Sequence, residues 1–331
     1  MNKILQQAGA RRQTANKQAT VASYRPYFEL DCRLCRQLVA DDALAGAPLV
    51  VADVGAAQGF DPRWELFAPH LRQIGFEPEP AEWRRLQTAI EAEGQADSRR
   101  VLPLALAEAA GRRPLYVTRD PDASSLYRPN QRFFDRMPDP SGTQVVGEID
   151  VEVTTLDAVR LPDADDLDVL KLDVQGAELD VLRGAARRLD SQVLAVIAEA
   201  SFVELYQGQG MFADLDIHLR GQGFQLFDIC YRRWSRRRLG PAYERLRVGQ
   251  MTYGDVLYLK DPIAGGEPLP AVKLLKLIAL AEFFSLPDYA LELIELALTR
   301  GDIDEPDASA LRDAIEANSI TGFNDRNRLP E

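Results

Sequence analysis

The stretch Leu49-Val50-Val51-Ala52-Asp53-Val54-Gly55-Ala56-Ala57-Gln58-Gly59 constrains this chain more than any other. An apolar run of strand-forming residues ends on Asp53, and a loop of small residues follows it. Asp61 is then placed as an N-cap and Pro62 at a first helical position, so a helix is predicted to start there. Strand, small-residue loop and helix together let a ligand lie against bare backbone at a helix N-terminus. Gly55 and Gly59 would supply the missing side chains, or the positive φ, that such an approach needs. Units of this kind also occur with no ligand, so the loop alone leaves the question open.

A second signal lies about twenty residues on, the usual spacing in dinucleotide folds. Leu71 to Phe76 reads as the next strand, with Glu77 at its end. A carboxylate there can accept both hydroxyls of a ribose, so the expected ligand is a nucleoside. The loop spacing is Gly-x-x-x-Gly, not Gly-x-Gly-x-x-Gly, and Asp53 stands two residues before the first glycine. That carboxylate repels a pyrophosphate and attracts an ammonium or sulfonium group. S-adenosylmethionine carries both cations on an adenosine and is the expected cofactor. A nicotinamide or flavin oxidoreductase built on the same unit is the rival.

The chain has 331 residues, enough for one large domain with an appendage or for two domains. Its 39 Lys+Arg against 51 Asp+Glu give a net charge of −12, which makes nucleic acid a poor partner. Three cysteines argue against a disulfide scaffold and for a reducing compartment. Cys32-Arg33-Leu34-Cys35 is a lone C-x-x-C without the two further ligands that zinc needs. No apolar leader is seen, and no run approaches the roughly 18 apolar residues of a membrane span. The expected location is cytoplasmic.

In chain order, residues 1–20 read as a polar tail. Residues 21–262 read as the main domain, opening with a helix from Tyr24 to about Ala45. Further strands are expected at Val101–Leu106, Leu115–Thr118, Glu148–Thr154, Asp168–Asp173, Val193–Ala198, Phe224–Ile229 and Asp255–Leu259. Helices are expected at Pro80–Glu93, Ala177–Leu189 and Met211–Arg220. Between them, Arg119 to Gly147 has no clean period and reads as a lid or binding loop. Residues 263–331 read as an α-helical extension whose apolar surface must be buried against the sheet or against another subunit, as in a homo-oligomer. Strands alternating with helices predict an α/β fold with a doubly wound, mainly parallel, Rossmann-like sheet. Asp53, Glu77, Asp173 and Glu199 all fall at strand ends, where ligands sit in such sheets.

With these residues in place, the chain resembles the FkbM family of S-adenosylmethionine-dependent methyltransferases. The resemblance is carried by Lys171-Leu172-Asp173-Val174-Gln175-Gly176-Ala177-Glu178-Leu179-Asp180 through Ala185. Asp53-Val54-Gly55, Gly75-Phe76-Glu77-Pro78, Ser124-Ser125-Leu126-Tyr127 and Glu199-Ala200-Ser201 through Tyr206 join it. It implies a class I methyltransferase fold and methyl transfer to oxygen, on a sugar, glycan or natural-product hydroxyl. By carry-over, Asp53, Gly55, Ala56, Ala57, Gln58 and Gly59 lie along the methionine part of the cofactor. Glu77 and Pro78 hold its ribose, and Ala105 and Leu106 offer backbone to the adenine. Asp173 and Gln175 lie beside the transferred methyl group, while Ser124, Ser125, Tyr127 and Glu178 are placed on the acceptor side.

A hydroxyl nucleophile gains from a nearby base, and Asp173 is the first candidate, with Glu199 second. The two could also share a divalent ion, which is possible but not favoured. His70 and His218 read as structural. Arg232 to Arg238 reads first as a charged hairpin tip and next as a site for an anionic acceptor. The last rival is a non-catalytic interaction module of the same fold, against which the intact Asp53, Glu77 and Asp173 count.

Overall fold

The computed structural model describes residues 24–26, 28–162, 164, 166–236, 249–263, 265 and 268–323. The predicted tail 1–20, together with Arg237 and Arg238 of the basic cluster, lies outside the described residues. The strands are β1 (Phe28–Leu30), β2 (Leu49–Val54), β3 (Leu71–Phe76), β4 (Arg99–Leu102), β5 (Ala105–Leu106) and β6 (Gly111–Thr118). They continue as β7 (Val145–Thr154), β8 (Val169–Leu172), β9 (Ala195–Ser201), β10 (Phe224–Trp234), β11 (Gln250–Lys260) and β12 (Ile320–Phe323). The main sheet has the order β10-β11-β9-β8-β2-β3-β4. Its pairs are parallel except those made by β11, which runs against both neighbours. The chain winds outward through β2, β3 and β4, then crosses back to β8 and winds the other way. The switch point therefore lies between β2 and β8, where such folds place their ligands.

The sequence explains why β2 sits centrally. Each of its six residues is buried, as a parallel strand covered on both faces requires, so it shows an unbroken apolar run. One sheet face is covered by α1 (Arg33–Ala40) and by the C-terminal helices. After α2 (Pro80–Ala92) and α3 (Gln131–Phe134), the other face carries α4 (Glu178–Arg183), α5 (Ala186–Ser191) and α6 (Phe212–Gly221), which share a second core with β8, β9 and β11. A small sheet of order β5-β7-β6 stands beside the carboxyl edge and shares its core with Ala177 and Leu126.

Several expectations change. The helix after the glycine loop is a short 3₁₀ turn, Pro62–Phe67, although Asp61 caps it by accepting the Arg63 N–H as predicted. The predicted helix from Tyr24 to Ala45 resolves into β1, which pairs with β12, and the eight-residue α1. The single helix expected over Ala177–Leu189 breaks at Gly184, whose missing Cβ leaves room for the Ala107 carbonyl (2.1 Å from an ideal Cβ). Val101–Leu106 is likewise two strands, β4 in the main sheet and β5 in the small one. Arg119 to Gly147 is not structureless. It holds a 3₁₀ turn (Pro121–Ala123) and a helical turn (Gln131–Phe134) and buries Phe133, Phe134 and Met137.

The C-terminal helices Ala271–Phe283, Pro287–Arg300 and Glu305–Glu316 form where the apolar stripes predict them. Leu274, Leu277, Ile278, Phe284 and Ile294 share one core with Val51, Trp64, Phe67 and Leu257, so this surface is buried within the chain. Trp64 stacks on Phe283 with ring centroids 4.4 Å apart. Charges fix the register of this packing. Asp168, fully buried just before β8, accepts from Lys273 Nζ and Lys276 Nζ, each at 2.7 Å, and from the Val50 N–H at 2.8 Å. Glu282 is equally buried and accepts the Leu34 and Cys35 N–H groups that open α1. Cys32 and Cys35 are free and buried, with the Cys35 thiol donating to the Ala279 carbonyl. Among the described residues no group of three or more His, Cys, Asp or Glu is placed to hold a metal ion. Among the same residues no helix is long and apolar enough to cross a membrane.

Removing Asp168 would take from the buried Lys276 ammonium the carboxylate it pairs with and leave Lys273 on Asp166 alone. Asp168→Ala is expected to cost about 3–5 kcal/mol, the scale for breaking a buried ion pair from one side. Denaturant melts read this directly, and a loss below about 1 kcal/mol, the scale of an exposed pair, would show that the helices are held by apolar contact alone.

Candidate active site

Two adjoining cavities open at the carboxyl edge of the main sheet, and they share Gln58, Asp122, Asp173 and Gln175. The first lies over β2 and β3 and under the small sheet. Phe76, Leu106, Leu115 and Val117 give it apolar walls, and Glu77 lies at the end of β3. The second, of about 790 Å³, lies over β9, β10 and β11. Its walls carry Phe134, Tyr206, Trp234 and Tyr253, with carboxyl groups from Asp120, Asp139 and Glu199.

The loop after β2 is shaped by its glycines, through the missing side chain and positive φ that the sequence suggested, with a neighbouring loop as the group that approaches. Gly55 has φ 86°, and an ideal Cβ on it would lie 1.9 Å from the Asp173 carbonyl oxygen. Its smallness therefore lets the two strand-end loops touch across the switch point. Gly59, at φ 89° with nothing within 4 Å of an ideal Cβ, is needed for its backbone conformation alone.

Beyond β8 the chain turns at Gln175, a non-glycine residue at φ 56°, and at Gly176, at φ 100°. Backbone held this way marks a position that its surroundings over-determine. Gln175 Nε2 donates to Asp173 Oδ1 at 2.7 Å and reaches Glu199 Oε1 at 3.5 Å. Its Oε1 accepts from the Tyr206 hydroxyl at 2.8 Å, and its carbonyl accepts from the Ser125 hydroxyl at 2.7 Å. Glu178 turns inward and accepts the Val174 and Gly176 N–H groups, which closes the turn.

Carboxylates crowd this edge. Asp53 and Lys171 are neighbours in the β2–β8 register and pair at 2.8 Å, at 5 % and 7 % exposure. Burial pushes the Lys171 ammonium down, but Asp53, Asp173 and Asp255 outweigh it, so the group stays charged. Burial also raises Asp53, against the pull of Lys171. Glu77, 5 % exposed, accepts the Glu79 N–H at 2.8 Å, and burial pushes it up to about 7 despite that bond. Burial likewise pushes Glu178 up to about 7, against the backbone N–H bonds it accepts. Asp255 rises to about 7 through burial and the nearby Asp173, against Arg232 and Lys171. Glu199 is driven well above the usual carboxylate range by burial, then by Asp173, Glu178 and Asp255.

The structure brings together most of the residues singled out by sequence. Gly55, Ala57, Glu77, Pro78, Ala105, Leu106, Ser124 and Ser125 line the first cavity. Gln58, Asp173 and Gln175 line both, and Glu199 lines the second. Asp53, Ala56 and Gly59 stand behind the lining, Asp53 being committed to Lys171. Tyr127 and Glu178 line neither cavity. The Tyr127 hydroxyl donates to Asp180, whose carboxylate also takes Arg113, and Glu178 faces backbone. Both histidines are remote, His70 against Asp42 and His218 in α6. The basic cluster is not simply a hairpin tip. Arg233, Trp234 and Ser235 line the second cavity, and Arg232 lies 3.8 Å from Asp255.

Sequence reasoning missed Tyr206, Tyr253 and Asp255, and reached Trp234 only as part of the basic cluster. Tyr206 closes the Glu199-to-Tyr206 segment and could have been read from it. Asp255 sits on the one reversed strand, where its register opposite Glu199 is a tertiary fact.

A seven-stranded sheet with only β11 reversed, and its cavities at the β2–β8 switch point, defines the class I methyltransferase type of Rossmann-like fold. The methyltransferase FkbM domain family matches residues 53–226, more than half of the chain, and the chain belongs to that family. The 2-O-methyltransferase NoeI of Sinorhizobium fredii (strain NBRC 101917 / NGR234) is 29 % identical over 169 residues. That match covers 48 % of this chain and 66 % of the relative, just under two thirds of its length. Among solved structures, an FkbM methyltransferase from Methylobacillus flagellatus KT is similar at 15 % identity and a TM-score of 0.37, over 76 % of this chain and 52 % of that one. The magnesium protoporphyrin IX methyltransferase of Synechocystis PCC 6803, with bound SAM, is similar at 11 % identity and a TM-score of 0.32, over 70 % and 79 %.

The raised carboxyls carry a consequence for stability. Burial raises Glu77, Glu178 and Asp255 to about 7 in the folded chain, whereas an unfolded chain releases these protons at about pH 4. The folded state then binds more protons, so the stability they contribute is full below about pH 4 and is lost as pH rises through about 7. The cofactor-free protein is expected to melt at lower temperature at pH 8 than at pH 5.5, with a shallower slope in Glu77→Gln. A melting temperature that rises over that interval would contradict the burial of these groups.

Proposed function

We propose that this protein is an S-adenosylmethionine-dependent O-methyltransferase acting on a hydroxyl of a sugar, glycan or natural-product acceptor. The observation that carries this reading is the sharing of Asp173, Gln175 and Gln58 by two cavities at the switch point. The lining of the first cavity supports a nucleoside: Phe76, Leu106 and Leu115 offer apolar surface to a flat base, and Glu77 at the end of β3 is the carboxylate we propose for the two ribose hydroxyls. Bound there, S-adenosylmethionine supplies an electrophilic methyl group on a sulfonium.

The second cavity falls within the roughly 300–1,000 Å³ range of small-molecule sites. Its aromatic walls suit the apolar face of a sugar ring, and its carboxylates suit hydroxyl donors. The similarity to NoeI, a 2-O-methyltransferase, also favours oxygen as the atom methylated. In this reading Asp173 takes the proton of the acceptor hydroxyl as its oxygen bonds to the methyl carbon and the carbon–sulfur bond breaks. The leaving group is the neutral thioether, so charge balances. The chain's main contribution is alignment of oxygen, carbon and sulfur. We assign residues 21–262 to this catalytic unit and 263–331 to its support.

Calorimetry tests the cofactor. S-adenosylmethionine and S-adenosylhomocysteine are expected to bind, and NAD is expected to bind weakly or not at all. Glu77→Ala is expected to weaken both by about 1–3 kcal/mol, the scale of charge-assisted hydrogen bonds. Tight NAD binding without S-adenosylmethionine binding would reject the reading. Transfer of labelled methyl to a panel of glycosides then identifies the acceptor class.

A further inference from the structure

Glu199 and Asp173 both line the second cavity, yet the structure treats them differently. Gln175 has one amide nitrogen for the pair, and it lies 2.7 Å from Asp173 Oδ1 but 3.5 Å from Glu199 Oε1. Its orientation is held from behind, because its Oε1 accepts from the Tyr206 hydroxyl. The amide therefore stabilises negative charge on Asp173 and does little for Glu199.

The groups around Glu199 add to this bias. On β11, Asp255 stands directly opposite it in the antiparallel register, and like charges so placed repel. Asp173 faces it from the end of β8, Glu178 from α4, and the hydroxyls of Tyr253 and Tyr206 complete its surroundings. The nearest lysine, Lys171, is committed to Asp53 at 2.8 Å, and Arg232 leans on Asp255 at 3.8 Å. Arg233, which also lines the second cavity, donates to the Gly249 carbonyl, so the carboxyls here outnumber the cations that face them.

Resting on the methyltransferase reading, we propose that Glu199 carries a proton at neutral pH and donates a hydrogen bond to the acceptor, while Asp173 alone serves as base. The two carboxyls then have separate tasks, as their unequal surroundings dictate. Glu199 presents an O–H to an acceptor oxygen next to the reacting hydroxyl and so selects which hydroxyl meets Asp173. Tyr206 is a positioning residue, acting through Gln175. When Glu199 ionises at higher pH, the donor disappears and a second anion faces Asp173.

Infrared spectra of the full chain in D2O test the proton without any acceptor. At neutral pH, the wild-type minus Glu199→Gln difference is expected to show the lost C=O stretch of a protonated carboxyl. Asp173→Asn removes the neighbouring anion, so in that variant the same band should vanish at lower pH than in the wild type. A lost carboxylate stretch in the Glu199→Gln difference would overturn the proposal, as would an unchanged pH for loss of the band in Asp173→Asn. Cofactor calorimetry on the wild type separates the two layers: absent S-adenosylmethionine binding rejects the methyltransferase reading, whereas the infrared band decides where the proton sits.

Discussion

The site depends on a shortage of positive charge. At the carboxyl edge of the central strands, one lysine, Lys171, faces Asp53, Asp173 and Asp255, and its short contact goes to Asp53 alone. That pair locks β2 to β8 across the switch point, and the close approach of Gly55 to the Asp173 carbonyl completes the join. What is left over, on Asp173, Glu199 and Asp255, is an excess of carboxyl groups in a half-buried cleft. Such an arrangement costs stability, and it is characteristic of sites whose ionisation is put to use.

The opposite edge shows the contrary balance. Just before β8, Asp168 takes two buried lysines from the first C-terminal helix and a backbone N–H of β2, and Asp166 pairs with one of them, Lys273, at 2.8 Å. Its partners are matched and its geometry is short, as expected of a structural ion cluster. β8 thus runs from a charge cluster that is satisfied to one that is not, within the span from Asp168 to Asp173. The C-terminal helices are coupled to the site through this strand. They hold its beginning, and its end carries the residue proposed as base.

Much of this was legible in the sequence. The unbroken apolar run of β2, the strand ends near Asp53, Glu77 and Asp173, and the apolar stripes of the C-terminal helices follow from local pattern and burial, whereas the strand expected to stop before Glu199 runs on to Ser201. The rest needed tertiary information. The break at Gly184 answers the Ala107 carbonyl, which no periodicity announces. Glu178 and Tyr127 sit in two motifs that invite a functional reading, yet one caps backbone and the other binds Asp180. The stretch from Arg119 to Gly147 lacks a period because it is fastened by scattered contacts, such as Ser125 to Gln175 and Asn130 to Glu204. The facing of Asp255 and Glu199 depends on strand register, which the order of residues along the chain does not display.

The central claim is that a nucleoside cofactor and a second ligand meet at Asp173. A crystal structure of the chain with S-adenosylhomocysteine measures this most directly. The account predicts adenine between Phe76 and Leu106, the ribose hydroxyls on Glu77, and the sulfur beside Asp173, facing the cavity walled by Trp234 and Tyr253. A ligand bound away from the β2–β8 switch point, or with its ribose remote from Glu77, would contradict it.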